Sequence, residues 1–167
     1  MRWPCLGLML LSLGGAGACG STGAVSAPRS GNAPTCTDDA REDDDTLEQG
    51  LAAAPISHIF NHGPARQEGR VACPGDVDWI HAHADCCNPS GARVRWDASL
   101  GPLEVELLDS EGNPIPLGAP GDIVQRQPGE VYLLRAEYGG RFLVRVRTSG
   151  EVAVPYSVEL FAPVFVR

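Results

Sequence analysis

Apolar and polar residues alternate along much of the chain after about residue 65, which is the two-residue period of β-strands. The alternation is clearest in residues 93–97, 103–107, 142–147 and 156–161. Each of these segments can bury one face and leave the other in water. No comparable stripe at helical spacing is present there. The pattern therefore predicts short strands and little helix.

Turn-forming residues separate these segments. Residues 110–114 (SEGNP), 127–130 (QPGE) and the pair Gly139-Gly140 have the composition of tight turns. Many short strands joined by such turns favour an all-β fold, an antiparallel β-sandwich or jelly roll in a single domain. Trp96 falls on an inward position of this pattern, so we expect it in the core rather than on a sugar-binding surface.

The N-terminus has the features of an export signal. Arg2 precedes a short apolar run over residues 5–13, and small residues then lead to Cys19. The stretch 16–19 (AGAC) resembles a bacterial lipobox, which implies a lipoprotein signal peptide over 1–18 and acyl chains on Cys19. The resemblance implies a periplasmic or surface-facing lipoprotein of the outer membrane. Plain secretion with cleavage near Ala18 is the alternative.

Composition divides the remaining chain in two. Residues 19–35 are small and polar, rich in Gly, Ser, Ala and Pro, and predict a flexible tether before a domain over 36–167. The net charge of −8 is concentrated in residues 38–48, where seven acids oppose Arg41 alone. Such an acidic chain disfavours nucleic acid as a partner and favours divalent cations or basic partners.

Four cysteines follow the tether, and in an exported protein they are expected to form disulfides rather than metal thiolates. We predict a bond between Cys36 and Cys73, which would staple the acidic N-terminal segment to the start of the domain. Cys86 and Cys87 are then left over. In the alternative, one of these adjacent cysteines pairs with Cys36 or Cys73 instead.

Six short motifs occur in a characteristic order: 42–46 (EDDDT), 75–79 (GDVDW), 103–113 (LEVELLDSEGN), 128–132 (PGEVY), 142–146 (FLVRV) and 156–160 (YSVEL). Together they resemble the bacterial pre-peptidase C-terminal (PPC) domain over about residues 42–162. The resemblance implies a β-sandwich that usually accompanies secreted peptidases as a non-catalytic module.

In some members of that family a calcium ion is shared between the acidic motif and the aspartate before the aromatic residue. Carried over to this chain, the resemblance implies ligands at Glu42, Asp44, Asp45 and Asp78, with Asp76 beside them. Carboxylate oxygens are the donors that calcium prefers. The alternative interpretation gives these residues turn and capping roles without a metal. Calcium is the one cofactor that the resemblance implies.

The histidines suggest a second metal chemistry. His58 and His62 are four residues apart, and His81 and His83 lie two apart on one face of a predicted strand. With the cysteines nearby, the four histidines offer an alternative site for zinc or copper. In the simpler interpretation Ile80, Ala82 and Ala84 face the core and leave His81 and His83 in solvent.

Four arginines fall on neighbouring predicted strands: Arg135, Arg141, Arg145 and Arg147. They offer an anion or glycan surface, or else form cross-strand pairs with Glu137 and Glu159. The chain has no G-x-S-x-G or H-E-x-x-H motif, and we do not expect an enzyme. We expect a lipid-anchored binding or accessory module of the cell envelope, contacting the membrane through its acyl chains and a polysaccharide or envelope protein through the domain. The alternative is a transition-metal-binding lipoprotein of the same fold.

Overall fold

Nine β-strands dominate the part of the chain that the computed structural model describes, residues 36–41, 43–58, 65–84, 89–138 and 140–161. A short α-helix and a single turn of 3-10 helix (Ala98–Leu100) accompany them. The elements are α1 (Leu47–Ala52), β1 (Ile56–His58), β2 (Ala65–Ala72), β3 (Asp78–Ala84), β4 (Ser90–Trp96), β5 (Leu103–Leu108), β6 (Ile123–Gln127), β7 (Glu130–Arg135), β8 (Gly140–Thr148) and β9 (Val154–Phe161).

The strands form two sheets. One has the order β1-β3-β8-β5 and the other the order β2-β9-β4-β7-β6. The pairings are antiparallel except for β1, which runs parallel to β3. The predicted all-β sandwich is confirmed, and the turn at 127–130 connects β6 to β7 as a hairpin.

The core lies between the two sheets and follows the alternation read from the sequence. In β8, Val144 and Val146 point inward, and both are fully buried. Val144 is in register with Ile80 of β3, and Val146 is in register with Val105 of β5. Trp96 packs partly buried against this core, as predicted, and its indole N–H donates to the carbonyl of Gly101 at 2.8 Å. Burial of this apolar surface is the main term favouring the fold.

One irregularity in β2 has large consequences. The register between β2 and β9 shifts by one residue between Gln67 and Arg70, and Gly69 in this bulge has a φ of 74°. Glycine adopts that conformation without a Cβ penalty. A bulge of one residue turns the following side chains to the opposite face of the strand. Arg70 therefore stands opposite Tyr156 and points between the sheets.

Helix α1 lies directly on β3. It begins at the N-cap Thr46, whose hydroxyl accepts a hydrogen bond from the Gln49 N–H at 3.2 Å. Gly50 allows the close approach, because a Cβ at this position would be only 2.5 Å from the Cβ and carbonyl oxygen of Trp79. The helix therefore covers the outer face of β3, which the sequence pattern assigned to solvent.

Three of the four arginines predicted to share a surface, Arg135, Arg145 and Arg147, are paired with carboxylates, although not with those predicted. The four do not line one sheet face, because Arg135 is on β7 and the others are on β8, which belongs to the other sheet. Arg145 pairs with Glu106 and Arg147 with Glu104, both across the β5–β8 register. Arg135 pairs with Asp122 at 2.7 Å. Glu159 pairs with Arg95 instead, at 3.1 Å. Arg145, Arg147 and Arg95 thus form pairs between neighbouring strands.

Several predictions concern residues outside the described ranges: the leader over 1–18, Cys19, the tether up to residue 35, Glu42, His62, Cys86 and Cys87. Where the chain is described, no helix has the length and apolar character needed to cross a membrane.

Candidate metal centre

The segment over residues 36–46 is attached to the sandwich at its beginning by a disulfide. Cys36 is bonded to Cys73, which follows β2 directly, and the two Cα atoms are 5.8 Å apart. The predicted disulfide is confirmed. It brings the acidic segment beside the loop that connects β2 to β3, where Asp76 lies.

The same segment is also held by a buried charge. Arg70 is only 1% exposed, and its guanidinium forms an ion pair with Asp44 and a second one with Asp39, the latter at 3.4 Å. Asp39 also accepts the backbone N–H of Val71 at 3.2 Å. The carbonyl of Asp44 accepts the N–H of Trp79 at 2.9 Å. Side-chain and backbone contacts thus tie this segment to both β2 and β3.

These contacts of Arg70 continue across the sandwich through Tyr156, and together they form a buried network of five residues: Asp39, Asp44, Arg70, Tyr156 and Asp78. Arg70 Nε donates to the Tyr156 hydroxyl at 3.3 Å, and this hydroxyl donates in turn to Asp78. Tyr156 belongs to β9 and Asp78 to β3, so the hydrogen bond joins the two sheets. Burial raises the pKa of Asp78 to about 7, against the opposing effects of Tyr156 and Arg70. Burial likewise raises the pKa of Tyr156 well above its usual value.

A second group of carboxylates lies in the same region. One oxygen from each of Asp38, Asp45 and Asp76 falls within 4.8 Å of the others. Asp76 Oδ1 accepts the N–H of Val77 at 2.7 Å. Within the described chain, Asp76 Oδ2 and Asp38 Oδ1 are buried and have no hydrogen-bond partner. Burial, and then the nearby Asp45 and Asp38, raise the pKa of Asp76 to about 6, while the Val77 N–H lowers it.

The structure divides the predicted calcium ligands between these two groups. Asp45 and Asp76 converge on one point, whereas Asp44 and Asp78 engage Arg70 and Tyr156 in the buried network. Glu42 is outside the described residues. Asp38 was not among the predicted ligands. Its position two residues after Cys36 was the available signal, because the predicted disulfide brings that part of the chain close to Asp76.

The histidines do not form a cluster where the structure describes them. His81 and His83 lie two residues apart on β3, and His58 is the last residue of β1. Neither His81 nor His83 joins a group of three metal-ligating atoms among the described residues. The expectation that His81 faces solvent is wrong, since it is only 7% exposed. Its Nδ1 lies 3.4 Å from the carbonyl oxygen of Ala53, in the chain that leaves α1.

No protein-family model matches this chain, and a search of curated proteins finds no match either.

We expect Arg70→Met to lower the free energy of unfolding by about 3–5 kcal/mol, because it leaves Asp39 and Asp44 without their buried cation. Urea unfolding followed by circular dichroism measures the loss. Arg66→Met is the matched control: Arg66 lies on the same strand, is exposed and pairs with the exposed Glu68. We expect the control to change stability by less than about 1 kcal/mol. Equal losses in the two variants would contradict a special role for Arg70.

Asp78 should make stability depend on pH in a defined direction. With a folded-state pKa of about 7 and an unfolded value of about 3.9, the folded chain holds a proton that the unfolded chain has released. The free energy of unfolding should therefore fall as the pH rises from about 4 to 7, by at most about 4 kcal/mol from this group. Urea unfolding at several pH values, with chelator present, measures this slope. Asp78→Asn should reduce the slope but not remove it, because Asp76, whose pKa is also raised, contributes in the same direction. An unchanged slope in the variant would rule out Asp78 as a source.

Proposed function

We propose that this protein is a non-catalytic binding or accessory module of the cell envelope, a β-sandwich whose N-terminal segment is stabilised by calcium. The convergence of Asp38, Asp45 and Asp76 at the point where the Cys36–Cys73 disulfide attaches that segment carries the proposal. A cation at this point would connect the segment to the β2–β3 loop.

Calcium suits this group better than a softer metal. The available donors are carboxylate oxygens, and calcium takes six to eight oxygen ligands in flexible geometry, which the backbone and water can complete. Two of the carboxylate oxygens, on Asp38 and Asp76, are buried without a partner in the described part of the chain. A bound divalent cation would engage them and offset the repulsion among the three carboxylates.

An envelope location is supported by the chemistry of the cysteines. A disulfide between Cys36 and Cys73 is typical of proteins that fold in an oxidising compartment. It agrees with an export signal, with lipidation at Cys19, and with a tether that holds the domain away from the membrane. The likeness to PPC domains favours an accessory role, with a polysaccharide or an envelope protein as the partner.

A non-catalytic role agrees with the way the buried ionisable groups are used. Arg70, Asp78 and Tyr156 contact one another between the two sheets, where they hold the sandwich together. The sequence also has no nucleophile motif.

Calcium should raise the melting temperature of the metal-stripped protein, since a ligand that binds only the native state stabilises it by about 2.7 kcal/mol at a hundredfold excess over Kd. Thermal unfolding with calcium, zinc or chelator measures the shift. Asp45→Asn and Asp76→Asn should each abolish the rise.

Asp43→Asn is the control for this experiment, because Asp43 is an exposed carboxylate of the same segment. It should retain the full calcium effect, and asparagine also tolerates the positive φ of 80° at this position. A rise with zinc but not with calcium would instead support the histidine alternative. No rise with either ion would contradict the metal-stabilised module.

Lipid anchoring can be tested separately. Cys19→Ala should abolish incorporation of a labelled fatty acid and move the protein from the membrane fraction to the soluble fraction, because the acyl chains supply the membrane affinity. Cys5→Ala, within the leader, is the matched cysteine control and should leave both unchanged. Unchanged acylation and fractionation in Cys19→Ala would contradict the lipoprotein assignment.

A further inference from the structure

A cavity of about 460 Å³ lies between the two sheets, on the side of the sandwich where β5 and β6 are edge strands. Leu103 of one sheet and Trp96 and Val131 of the other give it an apolar surface. Pro102 and Pro128 add to this surface from the connections beside the strands. The volume falls within the range of roughly 300–1,000 Å³ that is typical of pockets for small molecules.

Trp96 offers a ligand apolar surface rather than a hydrogen bond. Its indole N–H already donates to the carbonyl of Gly101 at 2.8 Å, and tryptophan has no other polar group in its side chain. The residue is only partly buried and lines the cavity, so a ligand can contact it. The lining therefore favours a ligand with an apolar body.

Arg126 brings a positive charge to this apolar lining. It is an exposed residue of β6 and is in register with Val131, so its side chain leaves the strand on the inner face of the sheet. Its Nη2 donates to the Val105 carbonyl of β5 at 3.1 Å. This hydrogen bond joins the two edge strands and holds the guanidinium beside the cavity.

No carboxylate of the described chain neutralises Arg126. It forms no ion pair there, and no acidic side chain belongs to the cavity lining. The nearest acidic residues along the chain have other partners: Glu130 accepts a hydrogen bond from Arg95 at 2.7 Å, and Asp97 accepts the Ser99 N–H at 2.9 Å. The cavity is therefore a cationic site on a chain whose net charge is −8.

The charge and the donors of Arg126 indicate the polar group of the ligand. A guanidinium disfavours a metal ion or an ammonium group, and its planar donors match the two oxygens of a carboxylate. Nη2 is the only one of its nitrogens that a described residue engages, so donors remain for a ligand. One guanidinium neutralises one negative charge, which suits a carboxylate better than a phosphate monoester with nearly two.

We infer that this cavity binds a small apolar carboxylic acid, with its carboxylate on Arg126 and its aliphatic or aromatic body against Trp96 and Leu103. The occupant is a free acid rather than a macromolecule, because the volume is that of a small-molecule pocket. The site shares no residue with the proposed calcium site and goes beyond the function proposed above. Acid binding and the calcium-dependent rise in melting temperature have separate readouts, so either can fail alone.

The test is a calorimetric titration of the full chain with 4-phenylbutyrate and with octanoate, in the presence of chelator. 4-Phenylbutyramide has the same body without the charge, and acetate has the charge without the body. We expect 4-phenylbutyrate or octanoate to bind at least about tenfold more tightly than either control compound. In ¹H–¹⁵N spectra the bound acid should shift the indole signal of Trp96 but not that of Trp79, which lies outside this cavity lining.

Variants separate the contributions of charge and space. Arg126→Gln keeps an N–H for the Val105 carbonyl but removes the charge, so it should weaken acid binding about tenfold and leave binding of the amide unchanged. Ala98→Phe places a ring in the cavity from an exposed position and should weaken both. Thermal unfolding shows whether each variant is folded, and either one suffices for the test. Arg147→Gln, an arginine on β8 outside the cavity lining, should change nothing.

Three results would overturn the inference: no binding of either acid, equal binding of 4-phenylbutyrate and its amide, or full affinity for the acid in folded Arg126→Gln. Two further titrations test the choice of ligand class. Tighter binding of 4-phenylbutyl phosphate would replace the carboxylate with a phosphate, and tighter binding of N-acetyl-Ala-Phe would replace the free acid with the end of a peptide. Either of these results would also contradict the inference.

Discussion

The buried guanidinium of Arg70 is the constraint on which much of this structure depends. A cation that is 1% exposed must be surrounded by partners, because removing a charge from water costs several kcal/mol. Its partners come from two places: the N-terminal segment supplies Asp39 and Asp44, and β9 supplies Tyr156. Tyr156 in turn contacts Asp78 on the opposite sheet. The N-terminal segment and both sheets thus meet at this one charge.

Neighbouring residues of the N-terminal segment have different roles because of this arrangement. Asp39 and Asp44 turn to Arg70, whereas the adjacent Asp38 and Asp45 meet Asp76. Arg70 neutralises the first pair of carboxylates inside the protein. The group formed by Asp38, Asp45 and Asp76 contains no cationic side chain. The segment is held from within by the ion pairs to Arg70, and in the proposed function a metal ion holds it from outside. The Cys36–Cys73 disulfide limits how far its first residue can move from β2.

The same segment and the chain after α1 also form a cavity beside β3. Helix α1 approaches β3 closely at Gly50 and brings the carbonyl of Ala53 to His81. This contact orients the imidazole and leaves its second nitrogen unused. The cavity beside β3 and the calcium site proposed here therefore share one support, the docking of residues 36–41 and 43–54 on the sandwich.

The sequence alone predicted the features that depend on residues close together along the chain. The alternation of side chains predicted β4, β5, β8 and β9 and the all-β sandwich, and Pro128-Gly129 predicted the β6–β7 hairpin, because both patterns are local. The Cys36–Cys73 disulfide could also be predicted, because only four cysteines follow the tether and few pairings among them are possible. Only the tertiary structure decided which distant groups meet. The one-residue bulge at Gly69 turns Arg70 into the core, and this determines which aspartates become its partners and which remain for a metal. The burial of His81 was likewise decided by the packing of α1 on β3, since alternation within a strand shows which side chains share a face but not what covers that face.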